Sequence, residues 1–213
     1  MPYGRNRLPH SDQGSGSPVV LVGAGWEEQA RALRAAGHRV IGFDRRSGLS
    51  RPYEVDALAE DLCALLEQLD LTGCVLAGSS ASAGDVVRYL EKHGSGRVRK
   101  VVLSAAVTPF LRRTDGNPDG VDEAGLADIE DRAEPGFGDA GRVDFRAGLL
   151  RLDVPVLLLH GDADKLLPID ATAHRMPDLV PDLRYEVIPG GPHDLGRAVP
   201  DLVNRYLLEF SAS

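Results

Sequence analysis

Short apolar runs alternate with longer amphipathic stretches over most of the chain, a pattern typical of strands followed by helices. The runs predict six strands, over residues 19–22, 39–43, 73–77, 99–104, 154–160 and 184–188. Between them, apolar residues at helical spacing predict helices, the longest over 53–69. This alternation predicts an α/β fold, a doubly wound and mostly parallel sheet with helices on both faces.

Two segments fall outside this alternation. Residues 1–18 are polar and rich in Gly, Ser and Pro, which predicts a loosely ordered N-terminal arm or an eroded edge region without a convincing strand. Residues 19–213 then form a single domain. The alternation stops at 107–148, where we expect two turns (117–120 and 134–138) and one short helix near 122–132. Such an insertion either covers a site as a residual cap or is a plain surface excursion.

Composition and charge limit the classes of partner and the cellular location that we expect for this chain. A formal net charge of -8 disfavours nucleic acid and anionic membrane surfaces. No apolar run is long enough to span a bilayer, and the N-terminus lacks the apolar centre of a signal peptide, so we expect a cytoplasmic protein. Cys63 and Cys74 fall in a helix pattern and a strand pattern, which favours buried free thiols over a disulfide. The spacing of Cys and His does not indicate a metal site.

The stretch 76–84 joins a predicted strand to a predicted helix through Gly, Ala and Ser alone. Such a turn folds tightly and lifts one side chain out of the sheet, which is the geometry of a nucleophile elbow with Ser80 at its tip. Gly78 fits the G-x-S-x-G pattern, whereas Ser82 stands where its second glycine belongs. A Gly/Ser-rich turn that only caps a helix is the alternative.

Candidate partners for Ser80 follow later strands. Asp162 and Asp164 come after the strand 154–160, and His193 comes after the strand 184–188. The order Ser80, Asp164, His193 is that of nucleophile, acid and base in α/β-hydrolases. The carboxyl ends of parallel strands share one edge of the sheet, so the three side chains can converge there.

A dinucleotide site is a second candidate for the function. Gly23 and Gly25 follow the first predicted strand, and Asp44 ends the next strand about twenty residues later, as in a Rossmann fingerprint. Glu28 occupies the third glycine position, and Glu27 and Glu28 would place negative charge near a pyrophosphate. The fingerprint is therefore incomplete.

Several longer stretches carry a family resemblance. They are residues 39–46 (RVIGFDRR), 70–90 around the elbow, 100–110, 114–120, 154–164 (VPVLLLHGDAD) and 189–193 (PGGPH). In these stretches the chain resembles the cofactor-free, non-heme haloperoxidase branch of the α/β-hydrolases, which includes chloroperoxidases, perhydrolases and aryl esterases. The resemblance implies Ser80 as nucleophile, Asp164 as acid and His193 as base, with Asp162 as a loop residue. It implies no metal or organic cofactor.

The chain departs from the family at the oxyanion loop. The family has H-G-x-P-x-S-x-x-x-W after its first central strand, whereas here Gly23-Ala24-Gly25 leads straight to Trp26. Ala81 would supply one backbone N–H to the oxyanion hole, and Ala24 or Gly25 would have to supply the other. Asp194 stands where Gly is common. The N-terminal hairpin and the cap are reduced, which predicts an open pocket for small acyl groups.

Three functions remain in view. We expect a serine hydrolase that cleaves small carboxylic esters through an acyl-enzyme. The family resemblance further implies a perhydrolase or haloperoxidase side activity, in which peroxide replaces water. The alternative is a catalytically weak or inactive hydrolase-fold protein that binds a small ligand or a partner, because the oxyanion loop is eroded. A nucleotide-dependent oxidoreductase is a third, minor option. The oligomeric state does not follow from the sequence.

Overall fold

The computed structural model describes residues 8–44, 54–133 and 137–212. Within these ranges, seven strands form one sheet in the order β1-β3-β2-β4-β5-β6-β7. All neighbouring pairs are parallel except β1 and β3. The strands are β1 (Ser11–Gln13), β2 (Pro18–Val22), β3 (Arg39–Phe43), β4 (Cys74–Ser79), β5 (Val98–Ser104), β6 (Val156–Gly161) and β7 (Leu183–Ile188). The predicted α/β fold is confirmed.

Successive residues of the central strands face opposite sides of the sheet, and both sides are buried. In β2, Val20 and Val22 pack into one core cluster while Val19 and Leu21 pack into another. In β6, Leu158 alternates with its neighbours in the same way. Strands covered on both faces read as continuous apolar runs, which is why the sequence predicted them well.

Helices cover both faces. One core cluster contains side chains of α1 (Glu27–Ala35), α6 (Leu195–Ala198) and α7 (Pro200–Ala212). The other contains side chains of α2 (Val55–Gln68) and α3 (Ala81–His93). Cys63 and Cys74 are free thiols, and burial raises the pKa of Cys74 to about 11. No helix in the described ranges combines the length and the apolarity needed to cross a bilayer.

The N-terminal segment contains a strand that the sequence pattern missed. Residues 11–13 form β1, an edge strand antiparallel to β3, with a pair of hydrogen bonds from Arg39 to the carboxylate of Asp12. All three residues are exposed, so β1 has no buried face and no apolar signature. The expectation of an arm without a strand was wrong here, whereas residues 1–7 lie outside the described part of the chain.

The insertion 107–148 contains more helix than expected. It holds α4 (Glu123–Arg132), a 3₁₀ turn (Ala140–Arg142) and the four-residue α5 (Arg146–Leu149). The predicted turn at 117–120 is present, and the buried Asn117 amide donates hydrogen bonds to the carbonyls of Phe110 and Arg112. Most of the second predicted turn (134–136) lies outside the described residues, as do residues 47–52, for which the sequence predicts a turn-rich stretch.

Several contacts attach this insertion, called the cap below, to the rest of the domain, and two of them reach α2 and the loop after β6. Asp139 accepts a hydrogen bond from the backbone N–H of Val55 at the start of α2, with a distance of 3.0 Å. Arg132 at the end of α4 donates from Nη1 to the carbonyl of Lys165, 2.9 Å away. The cap therefore contacts both the helical layer and the loop after β6.

The sequence predicts a short helix over about 170–176, limited by Pro177, but the structure has a pair of 3₁₀ turns there, Ile169–Ala171 and Ala173–Arg175. Thr172 separates them with φ of -128° and ψ of -95°, which is outside the helical region. Its hydroxyl donates to the carbonyl of Pro168, so the first turn is closed by a side chain.

Candidate active site

Ser80 lies at a strained turn between β4 and α3. Its φ of 52° and ψ of -123° fall outside the regions that a residue with a Cβ ordinarily occupies. Its N–H donates to the carbonyl of Ser104, and its own carbonyl accepts from Val107. Gly78 allows the close approach, because a Cβ there would lie 2.6 Å from the carbonyl oxygen of Ser82. Hydrogen bonding to the end of β5 thus keeps Ser80 in this strained conformation, as in a nucleophile elbow.

Ser80, His193 and Asp164 form one continuous polar chain. The Oγ of Ser80 lies 3.0 Å from Nε2 of His193, and Nδ1 of His193 lies 2.7 Å from Oδ2 of Asp164. The Asp164 side chain is fully buried, and that of His193 is 24% exposed. The sequence-predicted trio, which spans 113 residues of chain, is therefore brought together at one edge of the sheet.

The loop after β6 holds the Asp164 carboxylate in one orientation. Its Oδ1 accepts hydrogen bonds from the backbone N–H groups of Leu166 and Leu167, both at 2.8 Å. With Oδ1 so engaged, Oδ2 faces His193. Asp162 does not contact the trio, but its Oδ1 accepts from the N–H of Gly190 at 2.6 Å. Asp162 thereby ties this loop to the loop that carries His193.

The shortened turn 23–25 is held by its own neighbours. Gly23, with φ of 91°, donates its N–H to Phe43 at 2.9 Å. Trp26 donates from Nε1 back to the carbonyl of Val22 at 3.1 Å, which closes the turn. The hydroxyl of Ser79 contacts the carbonyl of Ala24 at 3.4 Å. The residues expected to form the oxyanion hole (Ala24, Gly25 and Ala81) all line the cavity above Ser80.

That cavity has a volume of about 190 Å³. Its apolar wall includes Trp26, Phe137 and Leu166, and its charged wall includes Asp44, Asp194 and Arg197. Arg197 is exposed and lies 3.6 Å from the Asp194 carboxylate and 3.7 Å from that of Glu27. The cavity is therefore small and is lined by both apolar and charged side chains.

The residues of the dinucleotide hypothesis line this same cavity. Gly23, Gly25 and Asp44 share it with Ser80 and His193 and do not mark a separate site. Glu27 and Glu28 occupy the first turn of α1. Negative charge at a helix N-terminus opposes the binding of a phosphate there. In the described ranges, no group of three or more His, Cys, Asp or Glu side chains could hold a metal ion.

One buried polar residue beside the trio was missed by sequence reasoning. His160 is fully buried at the end of β6, with Nε2 3.0 Å from the carbonyl of Leu167 and 3.4 Å from Oδ2 of Asp164. In the sequence, His160 is the last residue of the apolar run that predicts the strand 154–160. Its spacing of four residues before Asp164 was the available signal.

Comparison with known proteins places this geometry in a family, although no family model matches the chain. A protein of Synechocystis sp., provisionally named a non-heme chloroperoxidase, is 38% identical, with 94% of this chain and 93% of that protein aligned. A bifunctional esterase/perhydrolase of Acinetobacter calcoaceticus is 27% identical, with 92% of each chain aligned. The crystal structure of a bromoperoxidase from Bacillus anthracis superposes with a TM-score of 0.86 at 30% identity, covering 96% of this chain and 95% of that one. The chain therefore belongs to the non-heme haloperoxidase family of the α/β-hydrolases.

Proposed function

We propose that this protein is a serine hydrolase that cleaves small carboxylic esters through an acyl-enzyme. The observation that carries the proposal is the unbroken chain from Oγ of Ser80 through the His193 imidazole to the buried Asp164 carboxylate. A hydroxyl becomes a nucleophile when a base can take its proton and a carboxylate stabilises the cation that forms. Ser80 and His193 both line the cavity in which an ester would bind.

Each residue has a defined role in this proposal. Ser80 Oγ attacks the ester carbonyl while Nε2 of His193 takes its proton. The tetrahedral intermediate then expels the alcohol, which receives that proton from His193. A water molecule gives its proton to His193 and attacks the acyl group on Ser80, which releases the acid and restores the hydroxyl. Asp164 keeps the proton of neutral His193 on Nδ1 and stabilises the imidazolium.

The oxyanion hole is formed by the backbone N–H groups of Ala81 and Ala24. Neither N–H has a protein acceptor among the described residues. The carbonyl of Ala24 is turned toward Ser79. In a trans peptide the carbonyl and the following N–H point in opposite directions, so the N–H of Gly25 points away from Ser79. This favours Ala24 over Gly25 as the second donor.

The cavity sets the substrate class. A volume of about 190 Å³ with Trp26, Phe137 and Leu166 on its wall suits a short, uncharged acyl group. Hydrogen peroxide is small enough to enter beside such a group, and its attack on the acyl group of Ser80 would yield a peracid in place of the carboxylic acid. The name of the Acinetobacter relative pairs esterase with perhydrolase activity, which supports testing both.

The first test is covalent labelling with a fluorophosphonate probe. We expect rapid labelling of the wild-type protein, none of Ser80→Ala, and much slower labelling of His193→Ala. Hydrolysis of short-chain aryl esters, with and without peroxide, then measures turnover and peracid formation. The matched control is Ser15→Ala, which removes an exposed hydroxyl that does not line the cavity and should label as the wild type does.

A folded wild-type protein that neither labels nor hydrolyses these esters would contradict the proposal. In that case the shortened turn 23–25 has disabled the oxyanion hole, whose loss of one donor costs roughly a hundred- to a thousandfold in rate. The alternative of a hydrolase-fold protein that only binds a ligand would then stand.

A further inference from the structure

His160 is the buried titratable group nearest to Asp164 that the proposed mechanism does not use. Its side chain is fully buried, as is that of Asp164. A buried polar group without a role in packing costs free energy unless it is hydrogen-bonded. The hydrogen-bond partners of His160 therefore indicate its role.

The surroundings of His160 fix its protonated nitrogen. Nε2 faces two acceptors, the carbonyl of Leu167 at 3.0 Å and Oδ2 of Asp164 at 3.4 Å. Only a nitrogen that carries a proton is stable between two acceptors. Nδ1 is buried and has no partner in the described structure, so it is the unprotonated nitrogen. Desolvation lowers the pKa of His160, which agrees with a neutral ring.

Leu167 links His160 to the acid. Its carbonyl accepts from His160, and its N–H donates to Oδ1 of Asp164 at 2.8 Å. Leu167 is itself fully buried, so water cannot replace either bond without entering the core. The orientation of the Asp164 carboxylate thus depends on a residue whose other polar group is held by His160.

We propose that His160 is a positioning residue, which fixes Leu167 and thereby turns Oδ2 of Asp164 toward His193. The proposal rests on the assignment of Asp164 as the acid of the proposed hydrolase. His160 does not touch the substrate or the reacting atoms. It completes the sequence of contacts His160, Leu167, Asp164, His193, Ser80.

The test compares three variants. His160→Leu removes the donor while keeping an apolar side chain of similar size, and His160→Gln keeps an N–H donor near the position of Nε2. His174→Leu is the matched control, because His174 pairs with Asp170 on the surface and does not contact the trio. We expect His160→Leu to lower kcat by about ten- to a hundredfold, as displaced catalytic groups do, with KM within about threefold. His160→Gln should recover most of the loss.

A spectroscopic readout separates positioning from a general loss of stability. The proton on Nδ1 of His193, hydrogen-bonded to a buried carboxylate, gives a resonance far downfield of the amide region. We expect this resonance to shift or broaden in His160→Leu and to stay unchanged in His174→Leu. The pH dependence of kcat/KM should shift in the same variant only.

Wild-type kcat and an unchanged downfield resonance in folded His160→Leu would overturn the proposal, as would a Gln variant no better than Leu. If His160→Leu does not fold, His160→Asn replaces it, because the shorter Asn amide does not reach the Leu167 carbonyl whereas Gln does. If the wild-type protein hydrolyses no ester, the proposed function fails by itself. The downfield resonance then still decides whether His160 positions Asp164.

Discussion

The side chain of Ser82 lies directly against Gly23, in the space that a Cβ at Gly23 would need. Such a Cβ would be 2.5 Å from Oγ and 3.0 Å from Cβ of Ser82. The family's elbow has a glycine at position 82, whereas the serine here adds bulk where helix and strand approach each other. The structure shows where the bulk is accommodated: Gly23 supplies the room, beside the turn that carries Ala24.

We therefore predict that Gly23→Ala lowers ester hydrolysis by about a hundredfold, because it displaces the Ala24 N–H. Gly37→Ala is the control, since Gly37 has a similar φ of 89° but nothing within 4 Å of its Cβ position. Gly37→Ala should cost only the strain of positive φ, about 1–2 kcal/mol in the free energy of unfolding, with normal activity. Gly23→Ala should cost more. Adding Ser82→Gly to Gly23→Ala should recover part of the lost free energy of unfolding. Urea unfolding of the wild type, the two single glycine variants and the double variant measures these free energies. Equal costs at the two glycines would contradict the argument.

Asp164→Asn should lower kcat by on the order of 10⁴-fold while the protein stays folded. Two N–H donors, from Leu166 and Leu167, point at Oδ1 of Asp164. The amide oxygen of the substituted side chain would take that place, which turns its NH₂ group toward Nδ1 of His193. His193 would then carry its proton on Nε2 and could not accept the proton of Ser80. Steady-state hydrolysis of an aryl ester measures the effect, and a variant that keeps a tenth of wild-type kcat would refute this reasoning.

We expect the contact that Arg132 makes between the cap and the loop after β6 to affect substrate binding. It donates to the carbonyl of Lys165, between Asp164 and the cavity residue Leu166. We predict that Arg132→Ala raises KM by about threefold, while the free energy of unfolding changes by less than about 1 kcal/mol, because its ion pair with Asp128 is exposed. Arg142→Ala is the matched control, since Arg142 pairs with Glu123 and Glu130 within the cap. The prediction fails if both variants change KM alike.

The stability of the fold should depend on pH through His160. Burial lowers its pKa below the ordinary value of 6.5, so between these two values the unfolded chain binds a proton that the folded chain does not. Its contribution is therefore fully present above about pH 6.5 and is lost as the pH falls below that value. Asp164, His193 and His174 also act on this ring. We predict that the unfolding free energy of His160→Gln falls less steeply below pH 6.5 than that of the wild type, by up to about 1.4 kcal/mol per pH unit. Parallel curves from denaturant titrations would contradict it.

The sequence predicted the strands and helices whose apolar pattern is set by neighbouring residues in the chain. The run in β6 and the helical period of α2 were visible because buried strands and amphipathic helices leave a regular apolar pattern. Ser80, Asp164 and His193 could be proposed as a catalytic trio because each follows a strand in a characteristic order. In contrast, β1 is stabilised by backbone pairing and an ion pair, and neither leaves an apolar trace.

The contacts between loops could not be predicted in the same way. The hydrogen bond from Gly190 to Asp162 and the approach of Ser82 to Gly23 join residues far apart in the chain. The choice between Ala24 and Gly25 depended on the direction of one peptide plane. The role we propose for His160 depended on which acceptors meet its Nε2. Spacing along the chain specifies none of these.

The two ends of the proposed proton path, Ser80 and His193, follow strands that lie at different positions in the sheet. Ser80 follows β4, which lies between β2 and β5 near the middle of the sheet, whereas His193 follows β7, at its edge and paired with β6 alone in the described sheet. Edge elements open in subglobal fluctuations that leave the rest of a domain intact. Fraying of β7 would withdraw the base while the nucleophile stays in place. Enzymatic activity should then vanish at a lower denaturant concentration than helical structure, and amides of β7 should exchange with solvent ahead of those in β4.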